Sequence, residues 1–484
     1  MKKIINTFFQ LALFCIAIQI NGQTLPDKKP NVIIINMDDM GYGDTEPYGG
    51  TGYKTPNFNR LAKEGTRFTH FYAAQAVCSP SRAALLTGCY PNRIGMSGGA
   101  LMPWAKKALN PKEETIAKLL KNNGYSTAMF GKWHLGSKPG YLPLSYGFDQ
   151  FYGIPYSHDM WPVDYEGKPI TDTTNWKSKY PILPIYQDNT IVKTITNLEE
   201  QGLLTTTLTQ KAKEFILNNK KNPFFLYLAH PMPHVPLAVS PAFKGKSGVG
   251  LFGDVISEID WSIGQIVDLL DKTKLSNNTL LIVTSDNGPW LTFGNHAGSS
   301  GGLREGKGTA WDGGTRIPFF VRWPGKVKLG EINNELLTQM DILPTIVAAT
   351  NSKLPKEKID GLNFLPLLLG KTSKSPRDRF YVYYDQNNLK VIRYKNWELV
   401  LPHTSQAYSA GEPGKDGKPG PTPYIKVPMA LYDLIHDPGT VYDVQKNYPE
   451  IVKLILGFAE QAREDLGDDL VKRPGKNIRK EIEY

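Results

Sequence analysis

The sequence predicts an α/β fold built on a largely parallel sheet, followed by a smaller α+β domain at the C-terminal end. Three observations predict it. Short apolar runs alternate with stretches of helical periodicity, as in successive strand–helix–strand units. Val32-Ile33-Ile34-Ile35 is apolar and β-branched without alternation, the pattern of a strand covered on both faces. Beyond about residue 350 the texture changes to polar, proline-containing connectors and short strand-like runs.

Taken in order, the chain begins Met1-Lys2-Lys3, runs apolar from Phe8 to Ile20 and reaches small residues near Asn21-Gly22-Gln23. That is the pattern of a cleavable secretory signal over residues 1–22. The apolar run is shorter than the roughly 20 residues a membrane span needs. Cys15 follows Phe14, where a lipid-anchored cysteine would follow a small residue. The expectation is an exported protein, periplasmic or secreted, with no stable membrane insertion after cleavage.

After the first strand, Asn110 with Pro111, Glu113 and Glu114 reads as a helix start. Ile116, Leu119 and Leu120 follow at helical spacing, Gly124 closes the helix, and Tyr125 to Phe130 returns to the sheet. Phe224 to Leu228 and Leu280 to Val283 read as two more buried strands. Leu354-Pro355-Lys356 and the stretch from Lys371 to Arg379 are connectors. Phe380 to Tyr384, Lys390 to Tyr394 and Trp397 to Leu401 then look like short antiparallel strands, and Tyr448 to Leu466 like a closing amphipathic helix. Residues 411–421 hold too few Gly-X-Y triplets for a triple helix and read as a long loop. The expected organisation is a signal over residues 1–22, a large domain over 28–372 and an α+β subdomain over 373–484.

Composition bounds the function. With 484 residues, 40% hydrophobic and 21% charged, the chain is globular rather than disordered. Its net charge of +10 falls to about +8 without Lys2 and Lys3, which favours anionic ligands such as sulfated or phosphorylated polymers. Nucleic acid is excluded as a partner: there is no helix with a Lys/Arg stripe, no RNA-binding signature and no zinc-finger spacing. Cys15 leaves with the signal, so Cys78 and Cys89 remain and can pair, although the segment around Cys78 suggests a different fate.

The chemistry-bearing residues share one position in this scheme. Asp38 and Asp39 follow the first strand, Lys132 and His134 follow the strand ending at Phe130, His230 and His234 follow the Phe224 strand, and Asp286-Asn287 follows the Leu280 strand. Open α/β sheets bind ligands outside the carboxyl ends of their parallel strands. Adjacent carboxylates repel and persist best around a cation, and Asp and Asn oxygens suit Ca²⁺ or Mg²⁺ rather than zinc. Turns remain open as alternatives, since Asp38-Asp39 precedes a Gly-rich stretch and Asn287-Gly288 is a hairpin signal. Pro289 and Trp290 do not look like a returning strand. His230-Pro-Met-Pro-His234 has zinc-like spacing, but Pro231 and Pro233 break a helix and no glutamate follows His230.

The segment Cys78-Ser79-Pro80-Ser81-Arg82, followed by Ala83 to Gly88, reads as a loop leading into a helix. A thiol at a helix start can be a nucleophile. The segment also resembles the C-x-P-x-R signature of the formylglycine-dependent, type I sulfatases, and the likeness is especially close to the arylsulfatase A-like group. It continues through NMDDMGYGD at 36–44, GKWHLG at 131–136, GIPYSHD at 153–159, HVPL at 234–237, SDNG at 285–288 and GKGTAWDGG at 306–314.

That resemblance implies an alkaline phosphatase-like large domain and a sulfuric ester hydrolase. It implies oxidation of Cys78 to formylglycine (3-oxoalanine) by a maturation enzyme. It also implies one Ca²⁺, or Mg²⁺, on Asp38, Asp39, Asp286, Asn287 and modified residue 78. Arg82 would hold the hydrated aldehyde. Lys132, Lys307, His234 and Ser157 would contact sulfate, with His234 protonating the leaving alcohol and His134 acting as base. The rival readings are a phosphatase or phosphonate hydrolase on the same scaffold, and a non-catalytic binder of sulfated glycans. Export, basic charge and the aromatic content (24 Tyr and 9 Trp) favour a sulfated carbohydrate substrate: ulvan, carrageenan or another algal galactan, or a glycosaminoglycan. The expected pocket rim is 160–189 and 403–424, with Trp161, Trp290, Trp311 and His403 as sugar contacts.

Overall fold

The computed structural model describes residues 28–483; the expected signal, residues 1–22, lies outside the described residues. Among the described residues, ten strands form one mixed sheet. In chain order they are β1 (Asn31–Met37), β2 (Thr66–Phe68), β3 (Ser126–Lys132), β4 (Gln150–Ile154), β5 (Leu183–Gln187), β6 (Thr190–Ile195), β7 (Phe224–Ala229), β8 (Thr279–Ser285), β9 (Phe319–Arg322) and β10 (Glu331–Asn333). Their spatial order is β10-β2-β9-β8-β1-β7-β3-β4-β5-β6. The central run β8-β1-β7-β3-β4 is parallel throughout. Antiparallel neighbours flank it on both sides, so the sheet is less uniformly parallel than the sequence suggests.

The helices that cover it are α1 (Pro56–Glu64), α2 (Cys78–Thr87), α3 (Ile116–Asn122), α4 (Leu204–Asn218), α5 (Leu251–Lys272) and α6 (Ile342–Ala349); α7 (Pro449–Leu466) belongs to the C-terminal part. The strand period of two sorts β1 onto two cores. Ile33, Ile35 and Met37 pack with Phe58 of α1, Leu208 of α4 and Ile263 of α5. Val32 and Ile34 pack with Leu85 of α2, Leu120 of α3 and Ile346 of α6. This double coverage is why β1 can be apolar at successive positions.

One helix boundary differs from the expectation. Helix α3 begins at Ile116 because the Thr115 hydroxyl accepts from the Lys118 amide at 3.2 Å. Asn110 instead closes the preceding turn, its Oδ1 accepting from the Lys112 amide at 2.9 Å.

The C-terminal part is a four-stranded antiparallel sheet (Arg379–Tyr383, Leu389–Tyr394, Trp397–Val400, Ala430–Asp433). Ile455, Ala459, Ala462 and Leu466 of α7 pack against it, with Phe380, Val391 and Leu399 among their partners. Tyr72, Ala84 and Tyr90 join this core from the large domain. Helix α2 therefore lies between two layers, and every residue from Cys78 to Thr87 is buried. The loop at 411–421 folds back onto the large domain, where the amides of Gly414 and Gly420 donate to the Thr292 carbonyl at 2.9 and 2.8 Å. No helix among the described residues is long and apolar enough to cross a membrane.

Candidate active site

The parallel register of β1 and β8 pairs Met37 with Ser285, so Asp38-Asp39 and Asp286-Asn287 leave the sheet side by side. The Asp39 amide donates to Asp286 Oδ1 at 3.1 Å, and Asn287 Nδ2 donates to Asp39 Oδ1 at 2.7 Å. The turn reading of Asn287-Gly288 gives way to a close approach: the Gly288 amide donates to the Gly314 carbonyl at 3.0 Å, and a Cβ on Gly288 would stand 1.9 Å from the Gly313 oxygen. Lys132 ends β3, where Gly131 has φ +118° and a Cβ would meet the Ala229 oxygen at 1.9 Å; only glycine lets β3 lie this close to β7. Asp39 and His134 have φ of +64° and +61°, a left-handed conformation that costs a non-glycine residue about 1 kcal/mol or more. Such strain at two residues of one cluster is characteristic of functional sites.

The charges interlock. Arg82, on the second turn of α2, donates through Nε to Asp286 Oδ2 at 2.9 Å and through Nη1 to the Lys132 carbonyl at 2.8 Å. Lys132 Nζ donates to Asp38 Oδ2 at 2.5 Å and to Ser157 Oγ at 3.0 Å, and Lys307 Nζ donates to Asp39 Oδ2 at 2.8 Å. His234 Nε2 lies 3.6 Å from the same Asp39 oxygen. Burial, reinforced by Asp38, pushes Asp286 up to about 7. Asp38 is held well below the ordinary carboxylate range because Lys132, His234 and Arg82 outweigh its own burial.

Asp38, Asp39 and Asp286 offer ligand oxygens within 4.8 Å of one another; among the described residues no other group of three His, Cys, Asp or Glu side chains does so. Asp38 Oδ1 and Asn287 Oδ1 are buried without a hydrogen-bond partner. Orphaned acceptors beside crowded carboxylates are a donor set that fits a hard divalent cation.

The two cleft histidines have their tautomers fixed by carbonyls. His134 Nε2 donates to the Leu101 carbonyl at 2.9 Å, which leaves Nδ1 bare, and burial together with Lys132 and Arg82 keeps the ring neutral. His234 Nδ1 donates to the Val235 carbonyl at 2.5 Å, leaving Nε2 toward Asp39. His230 turns away to Ser262 of α5 at 3.0 Å. Burial pushes the Cys78 thiol up to about 11, so an unmodified Cys78 is not a thiolate near neutrality and the thiol-nucleophile reading loses its basis. Cys78 and Cys89 are both free, so the pairing left open by the sequence is not formed.

A cleft of about 260 Å³ opens onto this cluster, and Cys78, His134, Ser157, His234 and Lys307 line it. The expected rim at 160–189 supplies Met160, Tyr165, Trp176 and Tyr180, and the loop after residue 403 supplies Gln406 and Tyr408. Of the expected sugar contacts, Trp290 lines the cleft. The others are corrected. Trp161 is buried and donates to Gln201 Oε1 at 3.3 Å. Trp311 is buried beneath the Arg304 guanidinium at 3.7 Å. His403 is buried with Nδ1 donating to the Leu401 carbonyl at 2.7 Å; strand alternation and the chain's turn bring Gln406 to the cleft instead. Sequence reading missed Asp159 and Tyr384. Asp159 alone carried a signal, as the residue that closes GIPYSHD. Its burial is outweighed by His234, Lys177 and Ser157, which hold its carboxyl below the usual range.

A family model described as Sulfatase matches residues 30–352, and one described as N-sulphoglucosamine sulphohydrolase, C-terminal, matches residues 306–399. The chain is 34% identical over 469 residues to arylsulfatase A of Bos taurus, covering 93% of this chain and 90% of the relative. It is 35% identical over 501 residues to N-acetylgalactosamine-6-O-sulfatase of Bacteroides thetaiotaomicron, covering 92% and 94%. Among solved structures, a sulfatase from Pseudoalteromonas sp. superposes with a TM-score of 0.80 at 29% identity, covering 90% and 91%.

Proposed function

The chain belongs to the sulfatase family and is a sulfuric ester hydrolase; from that premise we propose that it is exported, matured at Cys78 to formylglycine, and removes sulfate from a sulfated carbohydrate with the help of one divalent cation. The observation that carries the reading is the position of Cys78. It opens a wholly buried helix, lines the cleft, and feels Lys132, Lys307, Asp38 and Asp286 at once. A thiol held protonated there has little chemistry of its own, whereas an aldehyde formed from it would meet a complete set of polar partners.

Asp38, Asp39, Asp286 and Asn287 would hold the cation, with calcium the favoured ion for an all-oxygen set and magnesium the alternative. Bound there, it supplies Lewis-acid polarisation of a sulfate oxygen. The hydrated aldehyde at residue 78 supplies one hydroxyl to attack sulfur and a second whose deprotonation lets sulfate depart. Lys132 and Lys307 place ammonium groups against the sulfate oxygens, with Ser157 orienting the first. Arg82 fixes residue 78 against Asp286, one turn along α2. His234 presents Nε2 to the leaving alcohol oxygen; as the imidazolium, favoured by the facing carboxylates of Asp39, Asp38 and Asp159, it would be the proton donor. His134, with Nδ1 bare, accepts the proton of the second hydroxyl.

The substrate class is supported by the Bacteroides thetaiotaomicron relative, whose name is that of a carbohydrate sulfatase. A two-zinc phosphatase reading finds no support, because the one group of clustered ligand side chains among the described residues is the carboxylate trio Asp38, Asp39 and Asp286, with no histidine in it. Mass spectrometry of residue 78 in protein purified from its native host tests the proposal. An aldehyde there, with sulfate release from sulfated sugars, supports it; an unmodified thiol in protein that releases sulfate would overturn it.

A further inference from the structure

Beside the catalytic side chains, the cleft is also lined by Met160, Tyr165, Trp176, Tyr180, Trp290 and Tyr408, with Asp159 among them. Asp159 is 7% exposed, and its Oδ1 has no hydrogen-bond partner. The Tyr165 hydroxyl reaches only Oδ2, at 3.4 Å. A buried carboxylate oxygen left unpaired on a ligand cleft calls for a donor from the ligand. The nearest lysine, Lys177, is buried beneath the wall with Nζ 3.8 Å from the Tyr165 ring centre, so it does not line the cleft. Lys307 is then the one cation among the cleft-lining residues, and it faces Asp39 at the sulfate end.

From Trp176 and Tyr180, which line the cleft, an aromatic surface open to solvent continues outward onto Trp104. Trp176 and Trp104 are 55% and 50% exposed, and both rest on Tyr180, at ring-centre distances of 5.3 Å (edge-on) and 5.1 Å (stacked). Two large exposed indoles fixed on one tyrosine make a platform rather than scattered surface residues. Flat aromatic faces of this kind hold the apolar C–H faces of sugar rings.

We infer that Asp159 and the Trp104–Tyr180–Trp176 platform form a substrate-reading site that selects an otherwise uncharged, singly sulfated sugar within a glycan chain. Asp159 Oδ1 accepts a hydroxyl of the sugar that carries the scissile sulfate. The same carboxylate repels a second sulfate or a uronate carboxylate on that ring; Lys177, behind the wall, faces Asp159 and tempers that repulsion from outside the cleft. The platform holds the neighbouring sugar, so chain length adds to binding. This inference rests on the sulfatase reading above.

The test compares sulfate release by the matured enzyme from 4-nitrophenyl sulfate and from the regioisomers of hexose and N-acetylhexosamine sulfates. Each cleaved sugar is paired with its disulfated counterpart and its longer oligosaccharides. Wild-type enzyme is expected to prefer the singly sulfated sugar by on the order of 10²-fold in kcat/KM, equivalent to about 2.7 kcal/mol of discrimination. Asp159→Asn should cut that ratio by about tenfold or more while its rate on the aryl ester, which has no sugar hydroxyl, falls far less. Trp176→Ala should remove the gain from monosaccharide to tetrasaccharide. An unchanged mono-to-disulfate ratio in Asp159→Asn, or equal losses on sugar and aryl esters, would overturn the role of Asp159 with the sulfatase reading intact. A wild-type rate that does not rise with chain length would overturn the platform. No release from any sulfate ester, aryl ester included, would overturn both readings.

Discussion

Removing the cation should expose a loss of stability with rising pH that the bound cation cancels. In metal-free protein, Asp286 moves from an ordinary 3.8 to about 7, because burial and Asp38 both oppose its charge. A carboxyl raised in the folded state binds its proton more tightly folded than unfolded. Its stabilising effect is therefore complete below 3.8 and is lost as pH rises through about 7. For this wholly buried group the loss is on the order of 4 kcal/mol. With calcium the trend is cancelled, because a ligand must be deprotonated: below about 7 the proton competes, apparent affinity rises roughly tenfold per pH step of one, and that gain offsets the loss seen without the ion. At a thousand times its dissociation constant the ion adds about 4 kcal/mol, an increment that shrinks as the pH is lowered. Scanning calorimetry between about pH 5 and pH 8, with chelator or with excess calcium, measures both curves. The two melting temperatures should lie close together at the acid end and separate steadily toward the alkaline end. A constant gap, or a gap that narrows with pH, would refute the assignment of Asp286 as a crowded carboxylate relieved by a cation.

Other outcomes follow from the same geometry. Cys78→Ser should give at most a single turnover and accumulate sulfated protein, detectable by intact mass, since serine lacks the second hydroxyl; steady turnover would sink the proposed mechanism. Lys307→Ala should lower kcat/KM by about 10²–10³-fold, the usual cost of removing one charge-stabilising donor, and steady-state kinetics on an aryl sulfate reads it directly. Gly131→Ala should destabilise the protein by several kcal/mol, on the order of ~3, because it combines a φ of +118° with a 1.9 Å approach to the Ala229 oxygen; urea denaturation measures it. Reducing agent should leave the melting temperature unchanged, because both cysteines of the described chain are free.

Apolar strands, the helical stripe at Ile116 to Leu120 and the polar residues waiting after each strand were legible because they are local patterns. A parallel sheet carries the residues that follow its strands to one edge, so the meeting of Asp38, Asp39, Asp286, Asn287, Lys132 and His234 was implied before any coordinate was known. The signature around Cys78 pointed to the chemistry for the same reason: it is short, contiguous and rich in residue types that chemistry requires.

What the sequence could not decide was which long-range neighbour each side chain would find. Trp161, Trp290 and Trp311 are the same residue type in comparable aromatic and polar settings, yet packing buries two of them and leaves Trp290 on the cleft. His403 and Gln406 lie on one hairpin strand, and only the way that strand docks on the large domain sends Gln406 to the substrate side. Asp159 owes its unpaired oxygen to elements distant in the chain, as Cys78 owes its buried, protonated state to a helix held between two cores. Local pattern sets which groups are available; the burial, pairing and field that give them a role are sums over contacts from the whole fold, and only the tertiary structure performs that sum.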